Sequence, residues 1–318
     1  MIRLSTIEQK ILSVVELDAR ASVDYLQKVT KLRPHSIRYA LKQLRDKNII
    51  VPQIWINPSQ LGLMHVFCFF SVKFPEANSR QDLELFISQS SQVYWLAEIA
   101  GEYQFELGLV VKNTNEALEF LQLISSKLKI LILKKELFFR TNMTLYSRTY
   151  LHKQDRKVLT TSVDHSFNSP VDETDFNILQ KLSRDPLLSN RDIALALNLS
   201  PATINNRVNH LMNQGIIGGF WYLVNSEEIQ NKMYYLQIYT RGFERRIAAQ
   251  LHKFALQFPA IIFLHQGLGA WDFQIHAETN SGEELAALVE ALHQKFYNEI
   301  GSIRVFTRLK ILKCSMLG

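Results

Sequence analysis

Cysteine is scarce in this chain. There are two in 318 residues, Cys68 and Cys314, too few for a disulfide-stapled scaffold. Each sits in an apolar, strand-like context, so buried free thiols in a reducing compartment are the simplest reading and a disulfide the alternative. Long apolar runs are missing too. The longest, Met64 to Phe74, is broken by His65 and Lys73 and falls short of the roughly 20 residues a bilayer-spanning helix needs. Glu8, Glu16 and Asp18 interrupt the stretch where a signal peptide would be apolar, so a cytoplasmic protein without membrane contact is expected. No GxGxxG, Walker or GxSxG stretch occurs. His265 and His276 fall on or near expected strands with no Cys or His at metal-ligand spacing, and read as core or surface residues. No catalytic residue, metal or cofactor is therefore expected. With 12 Gly, 8 Pro, 47% apolar and 21% charged residues, the composition is that of folded globular protein, and the length suits two domains or more.

Positive charge is present but unevenly spread. The net charge is +6, and residues 1–166 carry all of it, with 22 Lys+Arg against 16 Asp+Glu. Residues 167–318 balance at 14 against 14, and residues 1–50 alone hold 10 against 5. A basic surplus in one small segment points to a polyanionic partner.

A repeat organises the sequence. Residues 6–50 align with 173–217 at a constant offset of 167, with identities such as Ile11/Ile178, Asp18/Asp185, Ser22/Ser189, Pro34/Pro201, Ile37/Ile204, Leu44/Leu211 and Ile49/Ile216. Further on, Gly101-Glu-Tyr-Gln-Phe105 meets Gly269-Ala-Trp-Asp-Phe273, and Arg140 meets Arg308 at an offset of 168. Between the halves, Leu151 to Pro170 is polar and aperiodic and reads as a linker.

Each half opens on three amphipathic helices. In the second copy, Phe176, Ile178, Leu179 and Leu182 mark the first. Ser189 opens the second, with Asp192 approximating a capping box, and Ser200-Pro201 opens the third, an N-cap followed by proline. The first copy repeats the scheme with Ser22 and Pro34. A short second helix, a tight turn and a third helix with a polar outer face form a helix-turn-helix unit, whose third helix reads DNA. The outward positions of copy one are His35, Ser36, Arg38, Tyr39 and Lys42, flanked by Lys28, Lys31, Arg33, Arg45 and Lys47. In copy two they are Ala202, Thr203, Asn205, Asn206 and Asn209, with Ser200 and Arg207 alongside. Arginine can grip guanine bidentately, Asn suits adenine, and the cations can neutralise phosphates. The plainer reading is a solvated polar face that touches no DNA.

Short β-like runs, Ile54–Ile56 and Phe220–Leu223, follow as a wing or connecting strand. The pattern then reads strand 64–74, helix 81–90, strand 93–99, strand 103–111, helix 115–128, strand 136–147. The second half gives strand 232–240, helix 243–258, strand 261–266, strand 271–278, helix 282–297, strand 303–314. This βαββαβ order is a ferredoxin-like unit, a sheet with helices on one face. The bare face needs a cover, from the other copy or by dimerisation. The expected class is thus α+β, with helix-turn-helix domains at 1–57 and 171–224, ferredoxin-like domains at 58–150 and 225–318, and a linker at 151–170.

In this order the elements resemble the Lrp/AsnC family of transcriptional regulators over nearly the whole chain, twice. The stretch NLSPATINNRVNHLMNQGII (198–217) is similar to that family's recognition helix, and Gly269-Ala-Trp-Asp272 to the turn between its middle strands. The resemblance implies a regulator that binds double-stranded DNA and a small effector, commonly an amino acid. It implies effector contact at Gly269, Trp271 and Asp272, with Gly101 and Tyr103 in the first half. It implies a homodimer or higher oligomer through the ferredoxin-like domains, with a self-contained pseudo-dimer the alternative. The first copy departs from the pattern: Arg33 replaces the serine cap, and Gln104 stands where the aspartate is expected. Two other readings stand beside this one. Some fused tandem proteins resemble siroheme decarboxylases, which carry an Arg-Arg-Phe-type stretch after the helices; here those stretches read Ile-Ile-Val-Pro-Gln and Ile-Ile-Gly-Gly-Phe. An effector-binding protein without DNA binding is the third, because residues 171–222 hold 4 Lys+Arg against 5 Asp+Glu.

Overall fold

A computed structural model describes residues 3–74, 79–151, 156–162, 171–229, 231–242 and 245–317. The first half runs α1 (Thr6–Val15), α2 (Val23–Thr30), α3 (Pro34–Asp46), β1 (Ile50–Ile56), β2 (Met64–Lys73), α4 (Ser79–Gln89), β3 (Val93–Ala100), β4 (Phe105–Val111), α5 (Thr114–Leu128) and β5 (Leu131–Tyr146). β6 (Val158–Ser162) follows. The second half then runs α6 (Glu173–Arg184), α7 (Asn190–Leu197), α8 (Pro201–Asn213), β7 (Ile217–Val224), β8 (Lys232–Thr240), α9 (Arg245–Gln257), β9 (Ile261–Gly269), β10 (Phe273–Thr279), α10 (Gly282–Lys295) and β11 (Ile300–Cys314). The fold is α+β, as the sequence led us to expect.

Local chemistry sets the helix starts. Ser5 and Glu8 close a reciprocal capping box on α1, and Asp172 and Asp175 do the same on α6, satisfying backbone N–H groups that a helix leaves open. Ser189 caps α7, but Asp192 bonds to the serine hydroxyl at 2.6 Å rather than to the cap backbone. Arg33, which precedes Pro34, makes no capping bond, whereas Ser200 caps α8 through the Thr203 N–H at 3.0 Å.

The two β-like runs are not separate wings. β1 and β7 pair with each other, antiparallel, from Ile50↔Val224 to Ile56↔Ile217. This two-stranded sheet clamps the helical units together, with Trp55 and Trp221 edge to face at 5.8 Å. Arg20 lies 3.7 Å above the Phe220 ring and donates to the Pro186 and Leu188 carbonyls. The helical units share one apolar core, which also takes in Met143, Leu145, Ile262 and Phe263 from the sheet below.

Each βαββαβ unit gives a four-stranded sheet, and the two sheets close on one another. The ring order is β2-β4-β3-β11-β8-β10-β9-β5 and back to β2, an eight-stranded antiparallel barrel. Closure depends on two strands long enough to serve both halves. β5 pairs with β2 through Leu131–Arg140 and with β9 through Phe138–Leu145. β11 pairs with β8 through Ile300–Thr307 and with β3 through Thr307–Cys314. Both carry a bulge just after an arginine, Arg140 and Arg308, where a bulge's extra twist helps the strand change partners. Alternation divides the faces: Val66, Cys68, Phe70 and Val72 pack outward under α4 and α5, while Phe67 and Phe69 point into the barrel. α9 and α10 cover the second sheet in the same way.

Two details differ from the sequence expectation. The segment read as an aperiodic linker contains β6, which pairs with Asn142–Tyr146 of β5; residues 152–155 and 163–170 of that segment, and the expected start of α9 at Phe243, lie outside the described residues. β5 begins at Leu131, five residues earlier than its apolar alternation suggested. Of the two covers expected for the bare sheet faces, the structure shows the first: they meet within one chain.

Candidate functional site

The first candidate surface is the outer face of the third helices. Ile37, Ala40 and Leu44 of α3 are buried, which turns His35, Arg38, Tyr39, Lys42 and Arg45 to solvent, with Ser36 half-buried. Lys28, Lys31 and Arg33 flank them, exposed. Among the described residues none of Lys28, Lys31, Arg33, Arg38, Lys42 or Arg45 forms an ion pair, so this cationic face is uncompensated. His35 and Tyr39 stack one turn apart at 6.5 Å.

On α8, Ile204, Val208 and Leu211 are buried and Ala202, Asn205, Asn206 and Asn209 are exposed, with Thr203 half-buried. Arg207 is not presented outward: its guanidinium is paired with Asp172 at 2.8 Å and Asp175 at 2.9 Å. It ties α8 to the start of α6. Ser200 is engaged as the helix cap, and Asn205 accepts from Asn190 at 3.2 Å. The two faces thus differ in kind, one a field of free cations and the other a row of neutral amides.

The turns singled out for effector contact are built into the barrel. Gly269 has φ +144°, and a Cβ there would lie 2.2 Å from the Leu137 carbonyl oxygen, so only glycine fits. Asp272 accepts from the backbone N–H and hydroxyl of Thr240, both at 2.8 Å. Gln104 accepts from the Val72 N–H at 3.0 Å, the same bond at the equivalent place. The longer amide therefore does the aspartate's structural work in the first half. Trp271 stacks on Phe138 at 5.0 Å, and its indole N–H is buried without a partner. Tyr103 accepts from Arg304 at 3.3 Å, and a side chain at Gly101 would collide with Phe306.

The barrel interior is the second candidate, and its polar content was not foreseen. His65, His265 and His276 are all buried there with Arg140, Arg308, Glu106 and Gln274. The three imidazoles are held neutral, well below the usual histidine range, by burial and by the neighbouring arginines. Gln274 donates to His276 Nε2 at 2.8 Å and to Glu106 Oε1 at 3.2 Å, and the Trp95 indole donates to Glu106 Oε2 at 2.6 Å. Among the described residues no cluster has metal-binding composition. Residues near the bulge, with Trp221 and Leu223 from β7, line a cavity of about 50 Å3. Both thiols are free, as expected, and burial pushes Cys68 and Cys314 up to about 12. The matching Arg140 and Arg308 were the available signal in the sequence; what hid the site is that it exists only after the barrel closes.

Glu106 carries a pH prediction. Burial raises its carboxyl from 4.5 to about 7, against the Trp95, Gln274 and Arg308 contributions that lower it. The folded protein therefore binds this proton more tightly than the unfolded chain. No penalty exists below about 4.5, and the penalty grows to roughly 3 kcal/mol by about pH 7. Urea melts of Glu106→Gln and the parent, compared from pH 4.5 to 8, should diverge with rising pH in the variant's favour. A constant difference would show that Glu106 does not titrate there.

Comparison with known proteins bears on the helical units and on the architecture. Residues 171–217 match the family described as winged helix-turn-helix DNA-binding. The chain is similar to the HTH-type transcriptional regulator FL11 of Pyrococcus horikoshii, 27% identical over 136 residues that span 42% of this chain and 82% of that protein. An uncharacterized HTH-type transcriptional regulator of Pyrococcus furiosus is 29% identical over 128 residues, spanning 38% and 81%. Among solved structures, the siroheme decarboxylase NirDL superposes over 97% of this chain and 92% of its own with a TM-score of 0.60, at 13% identity. At that identity the likeness concerns the fold: both half-chains together, in one polypeptide. No helix among the described residues is long and apolar enough to cross a membrane.

Proposed function

We propose that the chain is a sequence-specific DNA-binding transcriptional regulator that carries both readers and an effector-binding barrel in one polypeptide. The observation that carries the reading is the exposed, unpaired cationic face of α3, on a unit clamped to a second reader through β1 and β7. The match of residues 171–217 to DNA-binding winged helices and the transcriptional regulators among its relatives support it. Because the readers differ, the site is asymmetric. Copy one supplies phosphate affinity, and copy two, through Ala202, Thr203, Asn206 and Asn209, supplies more of the base discrimination. Effector contact at the turns would run through the Trp271 indole N–H, since Asp272 and Tyr103 are already engaged. Closure of the barrel within one chain supports the self-contained pseudo-dimer over a homodimer through the sheets.

Selection of bound genomic fragments by the purified full chain, followed by footprinting, tests this. The expected product is a composite site of two unlike half-sites spaced about one helical turn of DNA, 10–10.5 bp, or a multiple. Recovery of random fragments would refute the specificity.

Tetrapyrrole decarboxylation is the second reading, favoured by the histidines and arginines gathered inside the barrel. Against it, the cavity of about 50 Å3 is far below the roughly 300–1,000 Å3 of pockets for drug-sized ligands. A new visible absorption band on mixing the protein with siroheme would move the assignment to this reading.

A further inference from the structure

Arg140 is a buried cation without an acid. Its guanidinium donates to His65 Nδ1 and to Met143 Sδ, and lies 5.4 and 5.6 Å from the Phe67 and Tyr94 rings. Among the described residues it forms no ion pair. The matching arginine of the second half shows what is missing. Arg308 donates to Glu227 at 2.8 Å and Ser226 at 3.2 Å, on the turn that leads into β8. The matching turn of the first half, Pro58–Leu61, reads Pro-Ser-Gln-Leu and has no carboxylate. Glu106, the acid that acts on Arg140 at longer range, is committed to Trp95 and Gln274. A desolvated charge with no counter-charge is costly, and proteins rarely leave one.

The groups around Arg140 are short of partners in the same sense. Guanidinium can only donate, so His65 Nδ1 accepts and the proton sits on Nε2, which is buried and unpartnered. The Tyr94 hydroxyl and both ring nitrogens of His265 are likewise buried with no hydrogen bond. Arg140, Tyr94 and His265 line a cavity of about 50 Å3, several times the space a single water requires. Eight-stranded barrels are either filled by side chains or hold one small ligand. Donors in excess, one uncompensated positive charge and little volume together describe an anion of a few heavy atoms.

We propose that this cavity is a binding site for a small carboxylate, held by Arg140, which His65 orients, and faced by Tyr94 and His265. Trp221 and Leu223 complete its wall; they belong to β7, which pairs with β1 between the two readers. An occupant therefore touches the strand that sets the readers' mutual position. The site deepens the reading of the barrel as the effector-binding half and rests on it, but it does not depend on DNA binding.

Acetate is the probe, with chloride at equal ionic strength as its control, on the full chain without DNA. Melting temperature and tryptophan fluorescence are followed together, since Trp95 and Trp221 line the cavity. At ten times its Kd, acetate should raise the melting temperature by about 2–4 °C beyond chloride and change the fluorescence. Arg140→Met should lose both responses while melting no lower than the parent without ligand, because it removes an uncompensated buried charge. An equal response to chloride, a response that survives Arg140→Met, or a variant destabilised in the absence of acetate would each overturn the assignment. Because no operator is present, failure here leaves the DNA-binding reading to its own test.

Discussion

Replacing Arg148 by Met is expected to lower the melting temperature by about 5–10 °C. Arg148 follows the end of β5 and is buried between two buried carboxylates, Glu16 at the end of α1 and Glu278 of β10. Its backbone N–H also donates to Glu16 at 2.9 Å, and the Tyr150 hydroxyl donates to Glu278 at 2.6 Å. Arg148 holds the Glu278 carboxyl below its usual range, whereas burial outweighs the same arginine at Glu16 and pushes that carboxyl up. Removing the cation leaves two desolvated acids facing each other, and breaking a buried pair from one side costs roughly 3–5 kcal/mol. At about 1.5–2 °C per kcal/mol for a chain of this length, the fall is about 5–10 °C. The triple variant Glu16→Gln, Arg148→Met, Glu278→Gln should recover most of it, since it removes the charges along with the pairing. Calorimetry of the two variants separates a stranded-charge effect from a packing defect: failure of the triple variant to recover would point to packing. The triad also joins a reader to the barrel, because Glu16 ends α1 and Glu278 lies on β10.

The second large effect concerns the cationic face of α3. The double variant Arg38→Ala, Lys42→Ala should weaken DNA binding roughly 10- to 100-fold at low salt and flatten the salt dependence by about two units of slope. Both side chains are exposed and unpaired, so folding should be untouched, which an unchanged melting curve would verify. Arg207→Ala is the contrast. Its guanidinium is spent on Asp172 and Asp175, so that change should disturb the α6–α8 contact and leave the salt slope where it was. A slope that falls equally in both variants would contradict the division between a binding cation and a structural one.

Much of this architecture could be read along the chain because its determinants are local. Ser189, Ser200-Pro201 and Pro34 mark helix starts through backbone chemistry that needs no distant partner. The alternation through Val66, Phe67, Cys68, Phe69 and Phe70 declares a strand with two apolar faces. Local reading stops where pairing is distant. Nothing near Val158 indicates that it will lie against Tyr146, and nothing near Ile50 announces Val224 as its partner. In sequence Gln104 departs from the aspartate expected at its place; in the fold Gln104 and Asp272 accept from matching backbone N–H groups of the neighbouring strands. The interior histidines were harder still. His65, His265 and His276 lie on three strands from two halves, and each alone resembles an ordinary core residue. Only the β5–β9 and β3–β11 pairings enclose them together.

Fluorescence anisotropy of the full chain on a selected DNA fragment, titrated with salt beside a scrambled duplex, tests the central claim most directly. A clear preference for the selected fragment is expected, with an affinity that falls steeply as salt rises, as release of counterions from several phosphates requires. Absence of binding to either duplex at low salt would contradict it, and would leave the barrel as the functional part of the molecule.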